Sequence, residues 1–146
     1  LRRLRMDNDT INKVSRLVLY HDYGNDMIPD RRIVRRAIHK IGEDIFPAFL
    51  LVRKADIMAQ SNLKRREKLM HLEAWEQYYK EILDQGECVS LKTLAVNGKD
   101  LIKAGLAPGK ELGEILNALL QEVLENPDKN TKEYLLSEAL KTNSEH

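Results

Sequence analysis

The chain has 146 residues, of which 42% are hydrophobic, 32% charged and 5% aromatic, with a formal net charge of +1. That length suits one or two small domains with a buried core. No apolar run approaches the roughly 20 residues that span a bilayer, and the first residues show no secretory-leader pattern. Cys88 is the only cysteine. It excludes an internal disulfide and points to a reducing, cytoplasmic setting.

The small net charge hides an asymmetry. Residues 1–71 hold 16 Lys and Arg against 9 Asp and Glu, a surplus of +7, whereas residues 72–146 hold 8 against 14, a deficit of −6. Every arginine lies at or before Arg66. A basic front half favours an anionic partner. Solvated helix faces explain the same charges.

Apolar residues recur with a period of 3.6 along most of the chain and strand signals are scarce, so the predicted fold is all-α. A first helix is expected from about Asp9 to Asp22, capped by Asp7, Asn8 or Asp9, with Ile11, Val14, Leu17, Val18 and His21 on one face. Gly24-Asn25 supplies a turn. A second helix starts at the N-cap Asp30 and stops at Gly42. Its apolar face is Ile33, Val34, Ala37, Ile38 and Ile41, and the opposite face carries Arg31, Arg32, Arg35, Arg36 and Lys40. A third helix covers about Asp44 to Gln60, with Pro47 in its first turn and a stripe of Phe46, Phe49, Leu50, Arg53, Asp56 and Ile57. Ser61-Asn62 restarts a long helix to about Gln85, packing through Leu72, Trp75, Tyr79 and Ile82. Gly86–Ser90 forms a soft boundary between a body domain over residues 1–86 and a tail domain over 87–146. Ser90 caps a short turn through Leu94.

Two helices joined by a tight Gly/Pro hairpin follow, around Asn97-Gly98-Lys99-Asp100 and Gly105-Leu106-Ala107-Pro108-Gly109-Lys110. The second runs to about Glu125 on a stripe of Leu112, Ile115, Leu116, Leu119, Leu120, Val123 and Leu124. Asn126-Pro127-Asp128 breaks it, Asn130 or Thr131 caps a last helix to about Leu140, and Lys141–His146 reads as a frayed tail.

Three constellations could carry chemistry. The hairpin aims the N-terminus of its second helix outward, where free N–H groups suit a phosphate. Lys110 sits at that end and Lys99 opens the first helix, so Lys99, Lys103 and Lys110, with the Gly109–Glu111 amides, are the candidate contacts of the tail. Gly105 as a helix stop and Pro108 as a helix-entry residue explain the same sequence with nothing bound. The Arg31, Arg32, Arg35 and Arg36 cluster has no i+4 acid on its own helix to neutralise it, and guanidinium forks suit phosphate. Finally, His21 and Asp56 both fall on apolar faces. A carboxylate there needs a partner: a metal shared with His21, a hydrogen bond between the two, or an ion pair to Arg53. No P-loop, GxGxxG, HExxH or CxxC motif is present, and no serine stands in a nucleophile elbow.

Val96-Asn97-Gly98-Lys99-Asp100-Leu101-Ile102, Gly105-Leu106-Ala107-Pro108-Gly109-Lys110-Glu111-Leu112-Gly113, Leu119-Leu120-Gln121-Glu122-Val123-Leu124 and Asn130-Thr131-Lys132-Glu133 closely resemble the C-terminal region of bacterial tRNA nucleotidyltransferases. These are the CCA-adding enzymes and the related poly(A) polymerase family. Leu1-Arg2-Arg3-Leu4-Arg5, Leu17-Val18-Leu19-Tyr20-His21-Asp22 and Leu51-Val52-Arg53-Lys54-Ala55-Asp56-Ile57-Met58-Ala59-Gln60 are similar to the HD-type helical domain that several of these proteins carry before the tail.

The resemblance implies a helical body and tail attached to an N-terminal head that adds nucleotides with Mg2+ and CTP or ATP. The body and tail would hold the tRNA through its backbone. On this reading the chain, which begins at Leu1 without an initiator Met, is a C-terminal fragment without the catalytic head and inactive alone. Asp56 matches the late Asp of HD hydrolases, whereas His21-Asp22 resembles a downstream Tyr-His-Asp and not the defining doublet. The earlier HD ligands would lie upstream of Leu1, so no competent hydrolase site is expected in this chain; a weakly bound divalent metal at a partial site of His21 and Asp56 is left as an alternative and not as the expectation. A truncated metal-dependent HD phosphohydrolase is the rival reading. A homodimer pairing the acidic tail with the basic body of a second copy is a third.

Overall fold

A computed structural model describes residues 7–24, 27–60 and 62–144. The Leu1–Arg5 segment, Asn25, Ser61 and the final two residues, all touched by the sequence reading, lie outside them. Among the described residues the fold is all-α: α1 Asn8–Tyr20, α2 Arg31–Ile41, α3 Phe46–Met58, α4 Asn62–Asp84, α5 Gly98–Lys103, α6 Lys110–Glu125 and α7 Lys132–Ser144, with 3-10 turns at Leu91–Thr93 and Pro127–Lys129 and no strand. Contacts gather into two compact units, Leu1–Ile82 and Leu83–His146.

In the first unit, helix starts follow from side-chain caps. Asp7 accepts from the Thr10 N–H at 2.7 Å to open α1, and Asp30 accepts from the Ile33 N–H at 2.7 Å to open α2. Gly42 ends α2, its N–H donating to the Ile38 carbonyl. The expected α2 face is largely the core face: Val34, Ala37, Ile38 and Ile41 are buried. α3 begins at Phe46, without a side-chain cap and with proline at its entry. Phe46 and Phe49 pack with Trp75 and Tyr79 of α4 at centroid distances of 4.9 to 6.5 Å, the offset and edge geometries that aromatic pairs favour. Leu72 and Ile82 complete the contribution of α4.

α1 departs from its pattern. It buries no residue, and Ile11, Val14 and Val18 of its apolar stripe are exposed. Polar contacts tie it down instead. The Arg16 guanidinium grips Asp44 through two bonds of 2.7 and 3.0 Å and donates to the Ile41 carbonyl at 3.0 Å.

In the second unit α6 packs on α5 and α7, and Ile115, Leu119, Leu120, Val123 and Leu124 of α6 are buried, as are Leu101, Leu106, Leu135 and Ala139. Asn130 stitches two segments together: its side-chain oxygen accepts from the Ala95 N–H at 2.7 Å and its amide donates to the Thr93 carbonyl at 3.1 Å. The buried Cys88 thiol donates to the Ser90 carbonyl at 3.2 Å. α7 continues through Ser144, past Leu140 where fraying was expected. Thr142 donates to the Glu138 carbonyl at 3.0 Å, a bond back to the preceding turn.

Candidate nucleic-acid interface

Six residues are too few for a helix to hold together on propensity alone, so α5 depends on its ends. Asn97 and Asp100 form a reciprocal capping box: Asn97 accepts from the Asp100 N–H at 2.9 Å and Asp100 accepts from the Asn97 N–H at 3.0 Å. At the other end the Leu106 N–H reaches the Leu101 carbonyl at 3.1 Å and the Gly105 N–H reaches Ile102 at 3.0 Å. Leu101 and Leu106 are both buried. This is a Schellman stop with its apolar clasp, and it turns the chain sharply toward α6. The Asn97 hydrogen bond holds the Asp100 carboxyl below its usual range, with Lys132 adding to the effect at 3.5 Å.

The N-cap of α6 is Gly109, exposed and at φ 144°, a backbone angle that a side chain rarely adopts. It brings no side chain to accept from the first turn. The Leu112 N–H turns back to the Gly109 carbonyl at 3.2 Å, while the Lys110 and Glu111 N–H groups have no acceptor among the described residues. Lys99, Lys103 and Lys110 are exposed on the hairpin. Lys99 and Lys110 stand in the first turns of their helices, where the backbone dipole disfavours a cation by about 0.3–1 kcal/mol. Two lysines at such positions are easier to explain beside an anion than beside water.

On α2 the arginines separate. Arg32 and Arg36 are exposed, together with Lys40 one turn further on. Arg31 is half-buried and Arg35 is only 4% exposed, so the expectation of four outward guanidiniums on one face is corrected. At about 100° per residue Arg31 and Arg35 share a flank about 40° apart, nearer the core stripe than Arg32 and Arg36. Their long stems cover apolar surface there. None of the four is an unpartnered cation. Arg32 has Asp30 at 3.9 Å, an acid that the i+4 rule overlooks because it sits on the N-cap. Lys40 lies 5.3 Å from the centre of the Tyr23 ring.

His21 and Asp56 are both exposed. His21 is exposed at the end of α1, with its Nδ1 2.7 Å from the Val18 carbonyl oxygen. Since a carbonyl only accepts, Nδ1 carries the proton. Asp56 is exposed too, accepting from the Gln60 amide at 3.3 Å. It lies on the outer edge of α3, not on the buried stripe. Arg53, the ion-pair alternative, donates instead to the Tyr23 carbonyl. Among the described residues no three His, Cys, Asp or Glu groups are placed to hold a metal.

Sequence reasoning missed one feature. Arg53, Lys68 and His71 line a shallow open cleft, with a cavity volume of only about 10 Å3, whose apolar wall is Ile57, Leu72 and Trp75. Arg53 is 5% exposed, its guanidinium 5.1 Å from the centre of the Phe49 ring. Burial pulls its pKa below the usual arginine range, opposed by the charges of Asp56 and Asp22. An arginine on an otherwise apolar stripe was the available signal.

A family model described as "tRNA nucleotidyltransferase domain 2 putative" matches residues 1–139. The chain belongs to this family. The CCA-adding enzyme of Ligilactobacillus salivarius (strain UCC118) is 47% identical over 53 residues, which make up 36% of this chain and 13% of that enzyme. The matched stretch is thus a small part of the relative's length. No solved structure matches. The chain is therefore a tRNA nucleotidyltransferase-related domain, all-α among its described residues, with no described helix long and apolar enough to cross a membrane.

Proposed function

We propose that this domain holds tRNA by its phosphate backbone while a nucleotidyltransferase head, using Mg2+ with CTP or ATP, adds nucleotides to the 3′ end. The observation that carries the reading is the α5–α6 hairpin: three exposed lysines and a helix start whose Lys110 and Glu111 amides have no acceptor among the described residues, within the acidic half of the chain. Arg32 and Arg36 offer a second basic surface on the other unit. Arg31 and Arg35 support that surface from its flank. These groups position RNA and perform no chemistry. A grip confined to phosphates suits duplex RNA, which is recognised by shape and backbone more than by base edges. The metal-dependent phosphohydrolase reading has no comparable support, because among the described residues His21 and Asp56 are not part of a ligand cluster.

The test is a tRNA titration of this chain at two salt concentrations. If Arg32, Arg36, Lys99, Lys103 and Lys110 each neutralise one phosphate, the logarithm of the affinity falls with the logarithm of salt at a slope of about −4.5. The charge reversals Arg32→Glu/Arg36→Glu and Lys99→Glu/Lys110→Glu should each weaken binding at least about tenfold and flatten that slope. A salt-independent affinity, or binding unchanged in both double variants, rejects the reading.

A further inference from the structure

We propose that the exposed face at the start of α4 lies in the minor groove of an RNA duplex, with Lys64 and Arg66 on the phosphates of the two strands and Glu67 on a ribose 2′-hydroxyl between them. The inference rests on the tRNA-holding reading and deepens it, through residues which that reading does not use. Residues 64–68 hold four cations and one acid. They stand near the N-terminus of α4, where the backbone dipole disfavours cations. Lys64, Arg66 and Glu67 are exposed, and none of them has a hydrogen bond or ion pair among the described residues. That separates them from the four arginines of α2, each of which has a partner.

Helical spacing sets their geometry. At about 100° per residue, Leu63, Glu67 and Met70 fall within about 60° of one another. They form an outward ridge, with Leu63 92% exposed and Met70 62% exposed. Arg66 lies about 40° beyond Met70 on one flank, and Lys64 about 60° beyond Glu67 on the other. The opposite side of the helix turns inward, with Leu72 buried and Arg65, Lys68 and Leu69 half-buried. The two free cations therefore straddle a ridge that is apolar at both ends and carries one carboxylate at its centre. The A-form minor groove is wide and shallow, runs between two phosphate strands and displays 2′-hydroxyls. It meets each element of the face in turn. Phosphates take the two long basic side chains, ribose carbons take Leu63 and Met70, and a hydroxyl donates to the Glu67 carboxylate, which only accepts. DNA lacks that hydroxyl, so the face selects RNA.

The experiment titrates the full chain into a short fluorescent RNA duplex, the DNA duplex of the same sequence, and tRNA, at two salt concentrations. The wild type should bind the RNA duplex at least about tenfold more tightly than the DNA, the gain expected from one charge-assisted hydrogen bond. Lys64→Gln/Arg66→Gln should weaken RNA binding at least about tenfold and flatten the salt slope by about 2, one step per phosphate. Glu67→Ala removes no cation, yet it should bring the two duplexes within about threefold of each other, because the hydroxyl loses its acceptor. All three positions are exposed, so the variants should fold, and emission from the buried Trp75 checks that they do. Equal wild-type affinity for RNA and DNA, or an RNA preference that survives Glu67→Ala, overturns the minor-groove assignment. Undiminished RNA binding by Lys64→Gln/Arg66→Gln, beside tRNA binding that falls with Lys99→Glu/Lys110→Glu, overturns this inference and leaves the holding reading in place. Failure of the wild type to bind any of the three probes rejects both.

Discussion

Gly42 holds φ 117°, and a Cβ there would press on the Arg16 guanidinium and on the Asp44 carboxylate at 2.8 Å. Gly42→Ala should therefore cost about 1–3 kcal/mol in urea unfolding. Arg16→Ala in the same chain should recover part of that loss, because the tighter of the two clashes goes while the Asp44 contact and the strained angle stay. The Arg16–Asp44 pair also sets a pH response. The Arg16 hydrogen bond holds the Asp44 carboxyl below its usual range. As pH falls, the unfolded chain binds the proton first. The stabilisation is thus fully present above the unfolded value of about 3.9 and is lost as pH falls through the lower folded value. Both partners are partly exposed, so the effect is modest. Acid unfolding curves should show a shallower acid limb in Arg16→Ala than in the wild type. Single residues were also where the sequence misled. Arg35 and Asp56 each sit at the margin of a stripe, and helical spacing cannot say whether a neighbouring element covers that margin.

The capped helices were the most legible elements. Asp30 and Gly42 bound α2, and Asn97 and Gly105 bound α5, because caps are local chemistry that four or five residues specify by themselves. α1 shows the opposite case. Ile11, Val14 and Val18 make a clear apolar stripe, yet Val18 is 66% exposed. Amphipathicity reports that a helix could bury one face; only the tertiary structure reports what lies against it. With few buried contacts and a polar tether through Arg16, α1 should open locally at much lower free energy than α2 or α3. Backbone hydrogen exchange measures this directly: α1 amides should exchange well before those of Ile38 or Leu50, and Arg16→Ala should speed α1 alone. Equal protection across the three helices would contradict it.

For the molecule as a whole, the all-α class and the basic hairpin were readable from periodicity, caps and charge, whereas the cleft was not. Arg53, Lys68 and His71 come from two helices, and nothing local brings a residue of α3 beside residues of α4. Composition also leaves each unit with its own reporter. Trp75 is the only tryptophan and Cys88 the only cysteine; each is 2% exposed, one within Leu1–Ile82 and the other within Leu83–His146. Indole emission follows the aromatic core of the first unit. The Cys88 thiol, shielded until its surroundings open, clocks the second through its rate of reaction with a disulfide reagent. The chain therefore carries two native and chemically orthogonal probes, and the opening of one unit can be timed against the other without introducing a label.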